Sequence, residues 1–179
     1  MKFTLNHKLK PLIIIVLCFA VIGLIATKIN IGFNQSNSLS GRVFLIVKGT
    51  LSKEKFDIVS FKSVGELAEI KKNGSKYPKS HNSTVKQVIG FGGDVISVKR
   101  NVEDGANHIY INGRNYGIIK EFSLVGARLF PIINENNSLV IPQGYYFVWT
   151  KHKDSDDSRY SHTGLIHKSQ IIGKAYEIL

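Results

Sequence analysis

Along the chain, apolar and polar positions are arranged on three different scales. From Leu12 to Thr27 the run Leu-Ile-Ile-Ile-Val-Leu-Cys-Phe-Ala-Val-Ile-Gly-Leu-Ile-Ala-Thr carries no charge, and Lys2, Lys8 and Lys10 precede it. Such a run predicts a helix that is apolar all round, as in a membrane span or a signal peptide. Crossing a hydrocarbon core takes about 20 residues. Lys28 can snorkel, and Ile29, Ile31 and Phe33 are read as extending the apolar reach. A cleaved secretory peptide ends in small residues just before the cut, a pattern that Ile25-Ala26-Thr27-Lys28 fits poorly, so the segment is read as a retained anchor. Lipid attachment at Cys18 is disfavoured by bulky Leu17 before it and apolar residues after it. Lysines ahead of the segment keep the amino terminus in the cytoplasm. Residues 1–33 are therefore expected to form a cytoplasmic tip and anchor, and residues 34–179 an extracytoplasmic domain.

Beyond the anchor the apolar runs become short. Asn34 to Gly41 is small and polar and reads as a linker. Arg42 to Val47 and Phe56 to Phe61 are β-branched or aromatic runs, hence strands. A helical spacing occurs once: Ser63 with Glu66 forms a capping box, Leu67 and Ile70 are three apart, and Gly74 is a stop. Lys76 to Thr84 is a polar loop, after which Val85 to Ile89 and Val95 to Val98 are strands around the turn Gly92-Gly93-Asp94. His108 to Ile111 and Arg114 to Ile119 flank Asn112-Gly113, a type I′ hairpin signal. Pro142-Gln143-Gly144 turns into the strand Tyr145 to Thr150, Lys151 to Arg159 is charged and irregular, and Ile171 to Ile178 is a closing strand. The pattern predicts a mainly antiparallel β domain with one short helix, preceded by a single transmembrane helix.

Composition narrows the classes. The 179 residues allow one domain plus an appendage, and 43% hydrophobic with 21% charged residues excludes a wholly disordered chain. Of the net charge of +11, four units lie in the first 33 residues and the rest are dispersed, which favours attraction to anionic lipid over nucleic acid. The one cysteine, Cys18, rules out an intrachain disulfide. Gly90-Phe91-Gly92-Gly93-Asp94 lacks the third glycine and the following helix of a phosphate-binding loop. His152, His162 and His167 lack zinc-protease spacing. Neither a metal nor a cofactor is expected.

Taken singly, Ser38 is linker and Lys86 is a strand lysine facing water, with alternation putting Lys86, Val88 and Gly90 on one face. The order of four blocks changes that reading. They are Asn34-Gln-Ser36-Asn-Ser38-Leu39-Ser40-Gly41; Phe56-Asp57-Ile58-Val59-Ser60-Phe61; Lys86-Gln87-Val88-Ile89-Gly90-Phe91-Gly92-Gly93-Asp94; and Ser155-Asp156-Asp157-Ser158-Arg159-Tyr160 followed by Ile171-Ile172-Gly173-Lys174-Ala175. In this order behind one anchor, they resemble the type I signal peptidase family, membrane-bound serine proteases with a serine and lysine dyad. The short length and single anchor look most like the TraF-type peptidases of conjugative transfer. Ser40 and Gly92 stand where the family carries proline, so both loops are expected to be looser. Trp149-Thr150-Lys151-His152 stands where housekeeping enzymes carry Gly-Asp-Asn.

The resemblance implies a barrel-like antiparallel signal peptidase fold and assigns roles. Ser38 would be the nucleophile, Lys86 the general base and Asp157 a further residue needed for activity. The Ser38 backbone N–H and the Ser36 hydroxyl would form the oxyanion hole. Ser155 would hold the Lys86 amine, and Arg159 would pair with Asp157. By itself the Ser155 block reads as a capped surface turn. A lysine base must be neutral, which burial promotes and a touching carboxylate would undo, so Asp94 should point elsewhere. The implied partners are the lipid bilayer and a preprotein or prepilin bound as an extended strand on a sheet edge. The implied location is the inner membrane, with the catalytic domain on the periplasmic side. A general signal peptidase and a catalytically inactive pilus-assembly scaffold are the alternatives; a cytosolic self-cleaving repressor is discouraged by the anchor.

Overall fold

In the computed structural model, which describes residues 10–34, 38–62 and 83–179, the uncharged run is a single helix, α1, Lys10–Lys28. Its 19 residues rise about 28 Å at 1.5 Å each, matching a hydrocarbon core of about 30 Å. From Pro11 to Lys28 its side chains, Cys18 included, are exposed, as suits a helix whose solvent is lipid. Lys28 lies in the last turn and the Lys48 ammonium donates to the Thr27 carbonyl at 3.3 Å, placing cations at the negative end of the helix dipole. Ile29, Ile31 and Phe33 do not lengthen the anchor. They begin the sheet as β1, Ile29–Phe33, antiparallel to β2, Val43–Lys48. The alternation Ile-Asn-Ile-Gly-Phe has a strand period, and pairing with β2 satisfies backbone groups that a helix ending at Lys28 leaves open.

Two antiparallel sheets follow. Among the described residues the larger has seven strands in the order β1-β2-β11-β3-β4-β9-β10, and the smaller has four, β7-β6-β5-β8. Their remaining members are β3 Ile58–Phe61, β4 Thr84–Phe91, β5 Val95–Arg100, β6 Asn107–Ile111, β7 Arg114–Ile118, β8 Ser138–Val140, β9 Tyr145–Trp149, β10 Ile166–His167 and β11 Ile171–Glu177. Sequence reading misses β1, β8 and β10, which are short or attached to another signal. It also starts β3 too early, because Phe56 has φ 72° and belongs to the preceding turn. The expected helix from Ser63 to Gly74 lies outside the described residues. The hairpin at Asn112-Gly113 forms with φ 50° and 80°, as a type I′ turn requires.

The turn at Gly92-Gly93-Asp94 does not pair its flanking strands. It passes the chain from the large sheet to the small one, with the Asp94 carboxylate accepting from Phe91 N–H at 2.9 Å. β4 thereby serves two cores. Val88 packs with Val59, Phe61, Tyr146 and Val148, whereas the adjacent Ile89 packs with Ile96, Ile109, Ile141 and Phe147. Ordinary alternation puts these two neighbours on opposite faces, and a register shift against β9 between Val88 and Gly90 then interrupts the alternation expected through Gly90. β11 is equally constrained: a Cβ on Gly173 would lie 2.0 Å from the Val47 carbonyl, so only glycine lets β11 fit between β2 and β3.

Candidate active site

Lys86 lies on β4, a strand paired on both sides, with Val59 of β3 opposite it and Trp149 of β9 opposite its neighbour Gln87. Its side chain is 5% exposed. The solvated strand lysine expected from the residue alone is therefore corrected: β4 is an inner strand, and the chain after β9 folds back over this position. Two backbone-fixing contacts drive that return. Ser158 N–H donates to the Val148 carbonyl, and Val148 N–H donates to the Ser158 hydroxyl, both at 3.0 Å. Because β9 pairs with β4, tying the segment to β9 brings Ser155 to the lysine, whose amine donates to Ser155 Oγ at 2.7 Å.

The segment from Ser155 to Tyr160 is not a surface turn. Ser155, Asp157, Ser158, Arg159 and Tyr160 are all 4% exposed or less. Arg159 and Asp157 form a bidentate pair, Nε to Oδ1 at 2.8 Å and Nη2 to Oδ2 at 2.9 Å. The guanidinium also donates to the carbonyls of Ile118 at 3.1 Å, His152 at 2.9 Å and Ser155 at 3.3 Å. The Asp157 carboxylate accepts from the N–H groups of Thr150 at 3.3 Å and Arg159 at 3.2 Å. Thr150 and His152, which looked like departures from the family pattern, take part here through backbone groups that any side chain leaves available.

Electrostatics act on the lysine from two directions. Burial pulls the Lys86 amine below the ordinary lysine range, the Asp157 and Asp156 carboxylates pull it back up, and Arg159 adds to the lowering. No carboxylate forms an ion pair with Lys86 among the described residues. Asp94 is occupied elsewhere, accepting from Asn112 Nδ2 at 2.6 Å and facing the Lys55 ammonium at 3.6 Å. A buried amine held by a neutral hydroxyl is suited to taking and giving a proton.

Ser38 lies in a turn and is half-buried, and its neighbour Leu39 packs against the cluster of Phe44, Ile46, Val85 and Ala175. That cluster includes Val85, the residue before Lys86 on β4. This segment is more than a linker. Asn34 Nδ2 donates to the carbonyls of Leu39 at 3.4 Å and Gly41 at 3.1 Å, and a Cβ on Gly41 would meet Glu177 at 2.6 Å and Phe44 at 2.7 Å. Ser36 lies outside the described residues.

Two features escaped the sequence reading. Ser158 fastens the block to β9, as described above. Asp156, beside Ser155, accepts from His162 Nε2 at 2.5 Å and from Thr163 Oγ1 at 2.6 Å. No periodic signal marks such a cluster, because its members lie on irregular chain. His162 also stacks on Tyr160, with ring centroids 5.7 Å apart. Among the described residues no group of three or more His, Cys, Asp or Glu side chains is arranged to hold a metal ion.

No curated protein is significantly similar to the chain. A family model does match: described as signal peptidase, peptidase S26, it covers residues 5–179, taking in α1, both sheets, Lys86 and the buried Ser155 block. The chain belongs to the S26 signal peptidase family, serine peptidases that remove leader peptides.

Proposed function

We propose that the protein is a membrane-anchored serine endopeptidase in which Ser38 is the nucleophile and Lys86 the general base. The observation that carries this reading is the Lys86 amine, 5% exposed and hydrogen-bonded to Ser155 at 2.7 Å with no carboxylate paired to it among the described residues. The Ser38 hydroxyl attacks the scissile carbonyl as its proton passes to the Lys86 nitrogen, and the Ser38 N–H with the Ser36 hydroxyl receives the oxyanion. Collapse of the tetrahedral intermediate breaks the peptide C–N bond, and Lys86 returns the proton to the departing amine. Water, deprotonated by Lys86, then attacks the acyl group; the bond to Ser38 Oγ breaks as Lys86 returns that proton to the serine oxygen, and the product leaves as a carboxylic acid that ionises in solvent. Ser155 keeps the amine aimed. Asp157 is required through its pairing with Arg159, which braces the segment that carries Ser155.

The substrate is the leader segment of an exported protein, bound as an added strand. In this reading it is a pilin-like subunit of a conjugation apparatus, processed on the periplasmic side of the inner membrane. If an amine of the same subunit replaced water, the acyl-enzyme would yield a cyclic product. Co-expression with a tagged prepilin tests the reading: the wild type should produce the mature amino terminus by mass spectrometry, and Ser38→Ala and Lys86→Ala should not. Equal processing by all three would eliminate catalysis and leave the scaffold reading. Cleavage of many unrelated preproteins would replace the pilin substrate with a general one.

A further inference from the structure

Asp156 adjoins the residue that holds the Lys86 amine, and its carboxylate acts on that amine electrostatically. The two carboxylates that raise the proton affinity of Lys86 are held in different ways. Asp157 is fully buried and neutralised by a bidentate guanidinium. Asp156 has a side chain 54% exposed, with no arginine or lysine paired to it among the described residues. Its Oδ1 is instead caught between His162 Nε2 and Thr163 Oγ1, at 2.5 and 2.6 Å. These hydrogen bonds hold its acid ionised against the opposing effect of burial. Both donors come from the turn after Tyr160, where Thr163 and Gly164 N–H groups donate to the Tyr160 carbonyl at 3.2 and 2.8 Å. His162 is further fixed by its stacking on the Tyr160 ring, so the clamp rests on a rigid base.

A free aspartate next to Ser155 would have reason to turn toward the lysine. An ammonium in a dry site gains more from a carboxylate than from a hydroxyl, and such a contact would keep it charged and useless as a base. Building on the assignment of Lys86 as the base, we propose that His162 and Thr163 are positioning residues that clamp the Asp156 carboxylate away from the Lys86 amine and so keep it available as a base. The charged groups acting on Lys86 are Asp156, Asp157 and Arg159. Of these, only Asp156 is held by neutral or titratable donors rather than a permanent cation.

The test uses the full-length protein in detergent micelles, with lysines isotopically labelled and Lys86 identified by comparison with Lys86→Met. Two quantities are read: the titration of the Lys86 amine by NMR and the acidic limb of kcat/KM for a leader peptide. Thr163→Val, nearly isosteric, and His162→Ala should each move both midpoints to higher pH and lower cleavage at neutral pH severalfold. Asp156→Asn should move both to lower pH, and adding it to either clamp variant should cancel that variant's effect. His162→Gln, which retains an N–H donor, should restore most of the wild-type behaviour. Clamp variants that leave the Lys86 titration unchanged, or whose effect persists beside Asp156→Asn, would overturn the proposal. Loss of the catalytic assignment is separately visible: cleavage would then survive in Lys86→Met, whatever the titration shows.

Discussion

Arg159 and Lys86 are two basic side chains buried within a few residues of the same block, yet they are treated in opposite ways. Arg159, 1% exposed, has a bidentate carboxylate and three backbone carbonyls. Lys86, 5% exposed, has one serine hydroxyl among the described residues. Guanidinium cannot shed its charge in a protein, so burial obliges the fold to surround it with acceptors. An ammonium can lose its proton instead, and burial with one neutral partner pushes it that way. The saturated cation is a brace, and the proposed mechanism uses the unsaturated one as its base.

This contrast breaks most visibly at Lys86. Lys86→Met should lower leader-peptide cleavage by at least 10² to 10⁴-fold, roughly the range of a general base. The fold should remain at least as stable, because the variant removes a poorly solvated amine without exposing a carboxylate; urea denaturation checks this. Arg159→Met reverses the pattern. It strands the Asp157 carboxylate in a fully buried site and should cost about 3–5 kcal/mol of stability in the same denaturation experiment.

Ser155→Ala sharpens the comparison at smaller amplitude. Removing the only described acceptor of the Lys86 amine should reduce kcat about tenfold, the rate equivalent of one oriented hydrogen bond, with little change in KM. The smallest effect is expected at a third basic side chain, the half-buried Lys174. Lys174 pairs with Asp57 at 2.9 Å, and Asp57→Asn should cost roughly 0.2–1 kcal/mol at neutral pH. The pH dependence follows from the shifts. Burial opposes ionisation of Asp57, but hydrogen bonds from Lys174 and from the Lys53 and Glu54 N–H groups outweigh it and lower its pKa below 3.8. Its contribution is therefore present above that value and lost as pH falls through the lowered one, so wild type and variant should converge in strongly acidic denaturation curves.

Much of this could be read from the chain because it rests on local rules. The uncharged run, Asn112-Gly113 and the aromatic stretch Tyr145–Trp149 each specify their element without help. β1 was hidden because its isoleucines continue the anchor's apolar run, and only pairing with Val43–Lys48 decides between lipid and sheet. Lys86 and Ser155 are separated by 69 positions, and their contact depends on β4–β9 pairing and on Ser158, neither of which has a signature in spacing. Burial of the Ser155 block was illegible for a related reason: its composition is that of a solvated turn. The partners that make burial tolerable are mostly backbone carbonyls and N–H groups.

In the proposed mechanism the Lys86 amine activates the Ser38 hydroxyl. An activated ester of a short alanine-ending peptide, incubated with the full-length protein at neutral pH and followed by tryptic mass spectrometry, reads this directly. The expected result is an acyl group on the peptide containing Ser38 in the wild type, none in Lys86→Met, and reduced labelling in Ser155→Ala. Equal acylation of Ser38 with and without Lys86, or labelling that bypasses Ser38 in the wild type, would contradict it.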